Sequence, residues 1–194
     1  EAGFLPKCLH PGLSKAMSRL PDLSAFYLMF FMKNLHPNEL VDFWSDFIDW
    51  DKRRQGEDGF LARSLAPYGR NVLDACLGDG CDSIHLLKEG FDVTGNELDS
   101  GLAQKALSNA RAAGVRLPVT HHDWRDFSKR FEPGIFDSVT LMGNSLTYLF
   151  KKKDQLAALS GFMHVLRPGG ALLIDERNYA YMLAHREAAL ARFR

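Results

Sequence analysis

The stretch from Asn71 to Glu97, NVLDACLGDGCDSIHLLKEGFDVTGNE, constrains this chain more than any other. Val72-Leu73-Asp74-Ala75-Cys76 has the length and composition of a buried parallel strand. A glycine turn, Leu77-Gly78-Asp79-Gly80, follows it. Ile84, Leu86 and Leu87 then fall on one side of a helical pattern and Ser83, His85 and Lys88 on the other, with Gly90 as the stop. Phe91 to Asn96 reads as a second strand ending in Glu97. The spacing predicts a βαβ unit. Gly78 and Gly80 let backbone approach a ligand where a side chain would collide, and the helix beyond Gly80 offers free N–H groups. Glu97 stands where an acid binds the two hydroxyls of a ribose.

The remaining chain repeats the alternation. Asp99 or Ser100 caps a helix to about Ala113, stopped by Gly114, and residues 117–121 read as a third strand near an edge because of Pro118. His122-Asp123-Trp124 follows, then a loop over residues 125–134 and a fourth strand over 135–142 ending in Gly143-Asn144-Ser145. A helix over 154–165, the turn Arg167 to Gly170, a fifth strand over 171–175 and a helical tail over 178–194 complete the pattern. Strand–helix alternation of this kind predicts a doubly wound α/β sheet. Right-handed crossovers bring the strand ends 74–76, 96–97, 121–123, 142–145 and 175–177 to one rim, where every polar residue singled out here falls.

Upstream, residues 1–36 read as a helical extension whose block AFYLMFFM, Ala25 to Met32, needs burial against the domain or a second copy. That block provides a route to a homo-oligomer and is far too short to span a bilayer. Residues 37–69 carry an aromatic stripe through Trp50, then Arg53-Arg54 and a glycine hinge over residues 56–59, and read as a helical lid. The third unit is 70–194.

Composition narrows the partners. The chain has 194 residues, 24 basic and 24 acidic, and 46% hydrophobic residues, which suits an α/β domain with a sizeable core. Zero net charge argues against a nucleic-acid footprint, and Lys151-Lys152-Lys153 reads as a solvated helix entry. Cys8, Cys76 and Cys81 show neither metal spacing nor a disulfide framework, so no metal and a reducing, cytoplasmic setting are expected. No signal peptide is seen.

The glycine motif departs from the dinucleotide fingerprint, because Ser83 stands where the third glycine belongs and Asp79 would repel a pyrophosphate. Asp74 followed by x-x-x-G-x-G instead resembles the first motif of class I S-adenosylmethionine (AdoMet) methyltransferases. A cofactor carrying an ammonium and a sulfonium tolerates nearby acids. Further segments resemble the glycine and glycine/sarcosine N-methyltransferases: DWDKRR at 49–54 with Glu57, VLDACLGDG with DSI, GFDVTGNELD, Asp123-Trp124, MGNSLTYL, LRPGGALLIDERNY and Tyr181.

The resemblance implies a Rossmann-like class I methyltransferase sheet with a helical N-terminal lid, its C-terminal antiparallel strand pair lying outside this chain. It implies an AdoMet-dependent N-methyltransferase acting on a small amino acid such as glycine or sarcosine. A same-fold enzyme for another small acceptor and a non-catalytic AdoMet-binding regulator are the alternatives. By the same resemblance Arg54 holds the AdoMet carboxylate with Trp50 nearby, and Cys76 and Gly78 line the methionine part beside Asp74 and Gly80. Glu97, where the family usually has Asp, takes the ribose with Leu98 beside it, and Asp123 and Trp124 frame the adenine. Met142 supplies backbone near the amino-acid moiety, Asn144 orients the substrate amine, and Arg177 pairs with the substrate carboxylate. Tyr148 stands where relatives often have His, and Cys76-Leu77 replaces a smaller pair.

Overall fold

A computed structural model describes residues 50–187. They fall into two compact units, Glu57–Glu176 and a second whose described parts are 50–56 and 177–187. The apolar block at 25–32 and most of the aromatic stripe lie outside the described residues.

In the larger unit α2 (Phe60–Leu65) follows the end of α1 (Trp50–Glu57) after a left-handed turn at Asp58 and Gly59. The strands are β1 (Asn71–Asp74), β2 (Asp92–Asn96), β3 (Val119–Thr120), β4 (Phe136–Leu141) and β5 (Leu166–Ile174). They form one parallel sheet in the order β3-β2-β1-β4-β5. Strand order reverses direction between β1 and β4, the place where open α/β sheets leave a crevice at their carboxyl ends. The doubly wound sheet expected from the alternation is the one observed.

Helices α3 (Cys81–Lys88) and α4 (Ser100–Ala112) pack on one face, and α5 (Phe127–Arg130) and α6 (Lys152–Val165) on the other. β1 shows why: Val72 enters the core with Leu61, Leu65, Ile84 and Ala106, while its neighbour Leu73 enters the core with Phe127, Val139 and Phe162. Both α3 and α4 end as the sequence requires. Gly90 (φ 81°) and Gly114 (φ 71°) take the left-handed turn. The next N–H groups, of Phe91 and Val115, return to the carbonyls of Leu86 and Ala110. Asp99 caps α4 by accepting the Leu102 N–H at 2.8 Å.

Three boundaries differ from the sequence reading. The segment 125–134 is not an open loop: a 3₁₀ turn (Trp124–Asp126) runs into α5, and Phe127 is fully buried. One apolar side chain per turn is too short a pattern to reveal a four-residue helix. β3 is only two residues long, as Pro118 offers no N–H to a ladder. β5 begins at Leu166, earlier than expected, because the chain pairs with Phe136 before Pro168 and the glycines and resumes after a register shift. In the smaller unit, α7 (Tyr179–Ala184) is capped by Asn178, whose side chain accepts the Tyr181 N–H at 2.9 Å.

Gly161 permits the close approach of α6 to the 3₁₀ turn, since a Cβ there would lie 2.6 Å from the Trp124 carbonyl and 3.0 Å from Phe127 Cβ. Gly161→Ala should therefore lower stability by about 1–3 kcal/mol in urea unfolding, although alanine is the better helix former.

Candidate active site at the carboxyl edge of the sheet

The glycine turn is held on an acid. Gly78 (φ 57°) and Gly80 (φ 82°) both adopt left-handed backbone, and the Gly80 N–H closes the turn on the Leu77 carbonyl. Gly80 also keeps α3 and α4 close, because a Cβ would sit 3.0 Å from that of Ala106. The Gly78 N–H donates to Glu97 Oε2 at 2.9 Å, and the Asp99 N–H donates to Oε1 at 3.0 Å. Glu97 is 9% exposed. Burial pushes its pKa up, against the pull of those backbone donors. Leu98, next in the chain, is 60% exposed.

Beneath the turn lies Asp74, fully enclosed. The Ser83 hydroxyl donates to Oδ2 at 2.6 Å and the Cys76 N–H reaches Oδ1 at 3.4 Å. Burial, with Asp82 and Glu97 nearby, pushes its carboxyl up to about 7 despite those bonds. Asp74 therefore ties the strand end to the first turn of α3. Cys76 is half-buried, and its thiol is pushed up to about 12 chiefly by burial.

The β4 turn is latched to the end of β5. Gly143 (φ 73°) and Asn144 (φ 64°) are left-handed, a conformation that asparagine tolerates better than most residues. The Asn144 N–H donates to the Asp175 carbonyl at 3.0 Å, and the Gly143 N–H to Asp175 Oδ2 at 3.2 Å. The Asn144 side-chain amide donates to Thr147 Oγ1 at 3.1 Å, and the Ser145 hydroxyl to the Met142 carbonyl at 2.6 Å. Met142 is half-buried against the core.

The third loop is fastened by its own polar atoms. Both carboxylate oxygens of Asp123 meet the Arg125 guanidinium, Oδ1 from Nε at 2.9 Å and Oδ2 from Nη2 at 2.5 Å. Arg125 holds the Asp123 carboxyl below its ordinary value. Trp124 turns its indole N–H to the Ala75 carbonyl at 2.6 Å and packs edge-on against Phe162. It thus spends its polar atom fastening this loop to the β1 turn.

Asp74, Cys76, Gly78, Gly80, Glu97, Asp123, Trp124, Met142 and Asn144 all belong to the larger unit, at the carboxyl ends of its strands. Trp50, Arg54 and Arg177 belong to the smaller unit. There, the Arg53 and Arg54 guanidinium carbons lie 5.1 Å and 5.5 Å from the Trp50 ring centroid, and Arg177 is exposed. The sequence reading gave Ser83, Asn96 and Ser145 no site role. Each is a small polar residue buried at a strand end or first helical turn, where composition carries no signal.

Among the described residues no group of three or more His, Cys, Asp or Glu side chains is arranged to hold a metal. No described helix is long and apolar enough to cross a membrane.

The Asp74 geometry has a pH consequence. A carboxyl whose folded pKa lies above its ordinary 3.8 favours the fold at low pH, and that contribution is lost as pH rises to about 7. Thermal unfolding followed across this window should show a falling Tm for the wild type. Asp74→Asn, which keeps an acceptor for Ser83, should flatten the decline.

Comparison with known proteins agrees with this geometry. A family described as "Methyltransferase domain" matches residues 72–170. Glycine/sarcosine N-methyltransferase of Halorhodospira halochloris is 38% identical over 146 residues, 75% of this chain and 54% of that protein. The enzyme of the same name from Parasynechococcus marenigrum is 40% identical over 146 residues, 75% of this chain and 51% of that protein. The chain thus spans about half the length of the curated relatives it matches. The PH0226 protein of Pyrococcus horikoshii shares the fold, with a TM-score of 0.60 and 23% identity over 74% of this chain and 61% of that one. By the family match over half its length, and by a sheet order and acid-clasped glycine turn that agree with it, this chain belongs to the class I AdoMet-dependent methyltransferases.

Proposed function

We propose that this chain carries the AdoMet-binding part of an N-methyltransferase that acts on the amine of a small amino acid, glycine or sarcosine. The observation that carries the reading is the 38–40% identity to glycine/sarcosine N-methyltransferases across a segment that includes the Glu97 clasp and the Gly143-Asn144-Ser145 turn. The lining fits the cofactor. Buried acids at Asp74, Asp79 and Glu97 suit a ligand with a sulfonium and an ammonium, and they would repel a diphosphate.

AdoMet, when bound, supplies an electrophilic methyl on a positive sulfur. The residues of this chain bind, orient and exclude water. In this reading Glu97 accepts the ribose hydroxyls, and the Gly78 turn lies against the methionine part. Asp123 and Trp124 bound the adenine, with Trp124 also holding the Ala75 carbonyl. Asn144, its amide anchored on Thr147, orients the acceptor amine, and the Arg177 guanidinium forms a bidentate pair with the acceptor carboxylate. A neutral amine needs no enzyme nucleophile and no strong base, so proximity and orientation carry the rate. The raised pKa of Cys76 also leaves its thiol protonated at neutral pH, which suits a lining role. Half-buried free thiols at Cys76 and Cys81 support a reducing, cytoplasmic setting. A lid formed from residues 37–69 and a homo-oligomer made through the block at 25–32 belong to the same reading.

Titration calorimetry of the full-length protein with AdoMet, with and without glycine or sarcosine, tests the reading. Micromolar binding and a ternary heat from one amino acid are expected. Binding without any ternary heat would discard the amino-acid acceptor. No binding at all would remove the cofactor site.

Arg177→Lys should raise the acceptor KM about tenfold or more and leave AdoMet affinity within about twofold. Unchanged acceptor kinetics would remove the role given to Arg177.

A further inference from the structure

Four hydrogen bonds converge on Asn96, the last residue of β2, which is 1% exposed. Its amide nitrogen donates to the His122 carbonyl at 3.0 Å and to the Ala75 carbonyl at 3.4 Å. Its oxygen accepts the Thr120 hydroxyl and the His122 N–H, both at 2.9 Å. A carboxamide has two N–H donors and one oxygen with two lone pairs, so every hydrogen-bonding position is used. The partners lie on two separate pieces of chain: the turn after β1, and the segment that runs from the end of β3 into the loop carrying Asp123 and Trp124. The Asn96 carbonyl also accepts the Leu77 N–H at 3.1 Å, which holds the β1 turn at a second point.

A polar residue here needs a reason. Strands of a parallel sheet buried on both faces are ordinarily apolar throughout. An aliphatic side chain would fill the volume and leave the buried carbonyls of Ala75 and His122 with fewer donors. The two carbonyls belong to the two loops that enclose the nucleoside end of the proposed cofactor site. One loop carries the Gly78 N–H bound to Glu97; the other carries Asp123. Trp124 Nε1 meets the same Ala75 carbonyl from the second loop.

We propose that Asn96 is a positioning residue for the nucleoside end of the site, acting through Ala75 and His122 to fix the spacing of the glycine turn and the Asp123–Trp124 loop. The inference rests on the AdoMet reading above. A ligand that spans both loops is sensitive to their separation, because its hydrogen bonds weaken steeply once donor–acceptor distances leave their narrow range.

Titration calorimetry of AdoMet into the full-length wild type, Asn96→Ala and Thr120→Val tests it. Asn96→Ala is expected to raise Kd about tenfold with unchanged stoichiometry. Thr120→Val, which removes one of the four bonds from a half-buried position, is expected to move Kd the same way by a smaller factor. In initial-rate kinetics the loss should fall on the KM for AdoMet, with kcat retained at saturation. A structural role alone would lower Tm and the bound stoichiometry and leave Kd unchanged; that result overturns the proposal. Should Asn96→Ala fail to fold, an unchanged Kd for Thr120→Val overturns it instead. A wild type that does not bind AdoMet removes the cofactor reading, and this inference with it.

Discussion

The central strand sets the problem that the rest of the domain solves. β1 is paired on both sides, so its ladder can end only where other partners take over its backbone groups. The Ala75 N–H goes to the Thr140 carbonyl, and the Ala75 carbonyl takes Trp124 and Asn96. Leu77 N–H goes to Asn96, Gly78 N–H to Glu97, and Gly80 N–H back to Leu77. Apart from the Gly80–Leu77 bond inside the turn, the partners come from β4, from the end of β2 and the residue after it, or from the loop after β3. The ligand-facing turn is thus the point where neighbouring strand ends are joined, which keeps a glycine-rich segment rigid.

The two ends of the sheet treat carboxylates in opposite ways. At the amino end, Asp137 accepts the N–H groups of Arg70 and Asn71 and the Arg167 Nε–H, and its pKa is held below the ordinary value. It pins β1, β4 and β5 in register. At the carboxyl end, Asp74 accepts the Ser83 hydroxyl and the Cys76 N–H, Glu97 accepts the N–H groups of Gly78 and Asp99, and burial raises both. A raised buried acid is less stable when charged, so a cationic ligand gains from meeting it. The amino end's acid is paired with a guanidinium, whereas the acids of the carboxyl end are held by hydroxyl and backbone N–H donors.

Much of the fold was legible in the sequence because its signals are local. The apolar runs of β1, β2 and β4, the Gly90 and Gly114 stops and the cap at Asp99 or Ser100 depend on neighbours within a few residues, and the structure has each of them, with Asp99 as the cap. The short helix at Phe127–Arg130 was not legible, since one buried phenylalanine makes no period. Nor was the early start of β5, which depends on pairing with Phe136 across the sheet. Gly161 looked like any helical glycine; only the carbonyl of Trp124 beside it gives the reason.

The site divides along the same line. Residue type and order alone single out as candidates the glycine turn, the acid at the end of the second strand, the Asp123-Trp124 pair and the Gly-Asn-Ser turn, because each is a short motif with its own chemistry. Which atoms those residues spend on one another was decided by the tertiary structure: Glu97 on Gly78, Trp124 on Ala75, Asp123 on Arg125. Asn96 shows the difference most clearly. As a letter it is one polar residue at a strand end; as a side chain it meets Ala75, Thr120 and His122 at once, residues up to 26 positions away. Hydrogen bonds between distant segments exist only after the strands have aligned, so no local pattern in the sequence can announce them.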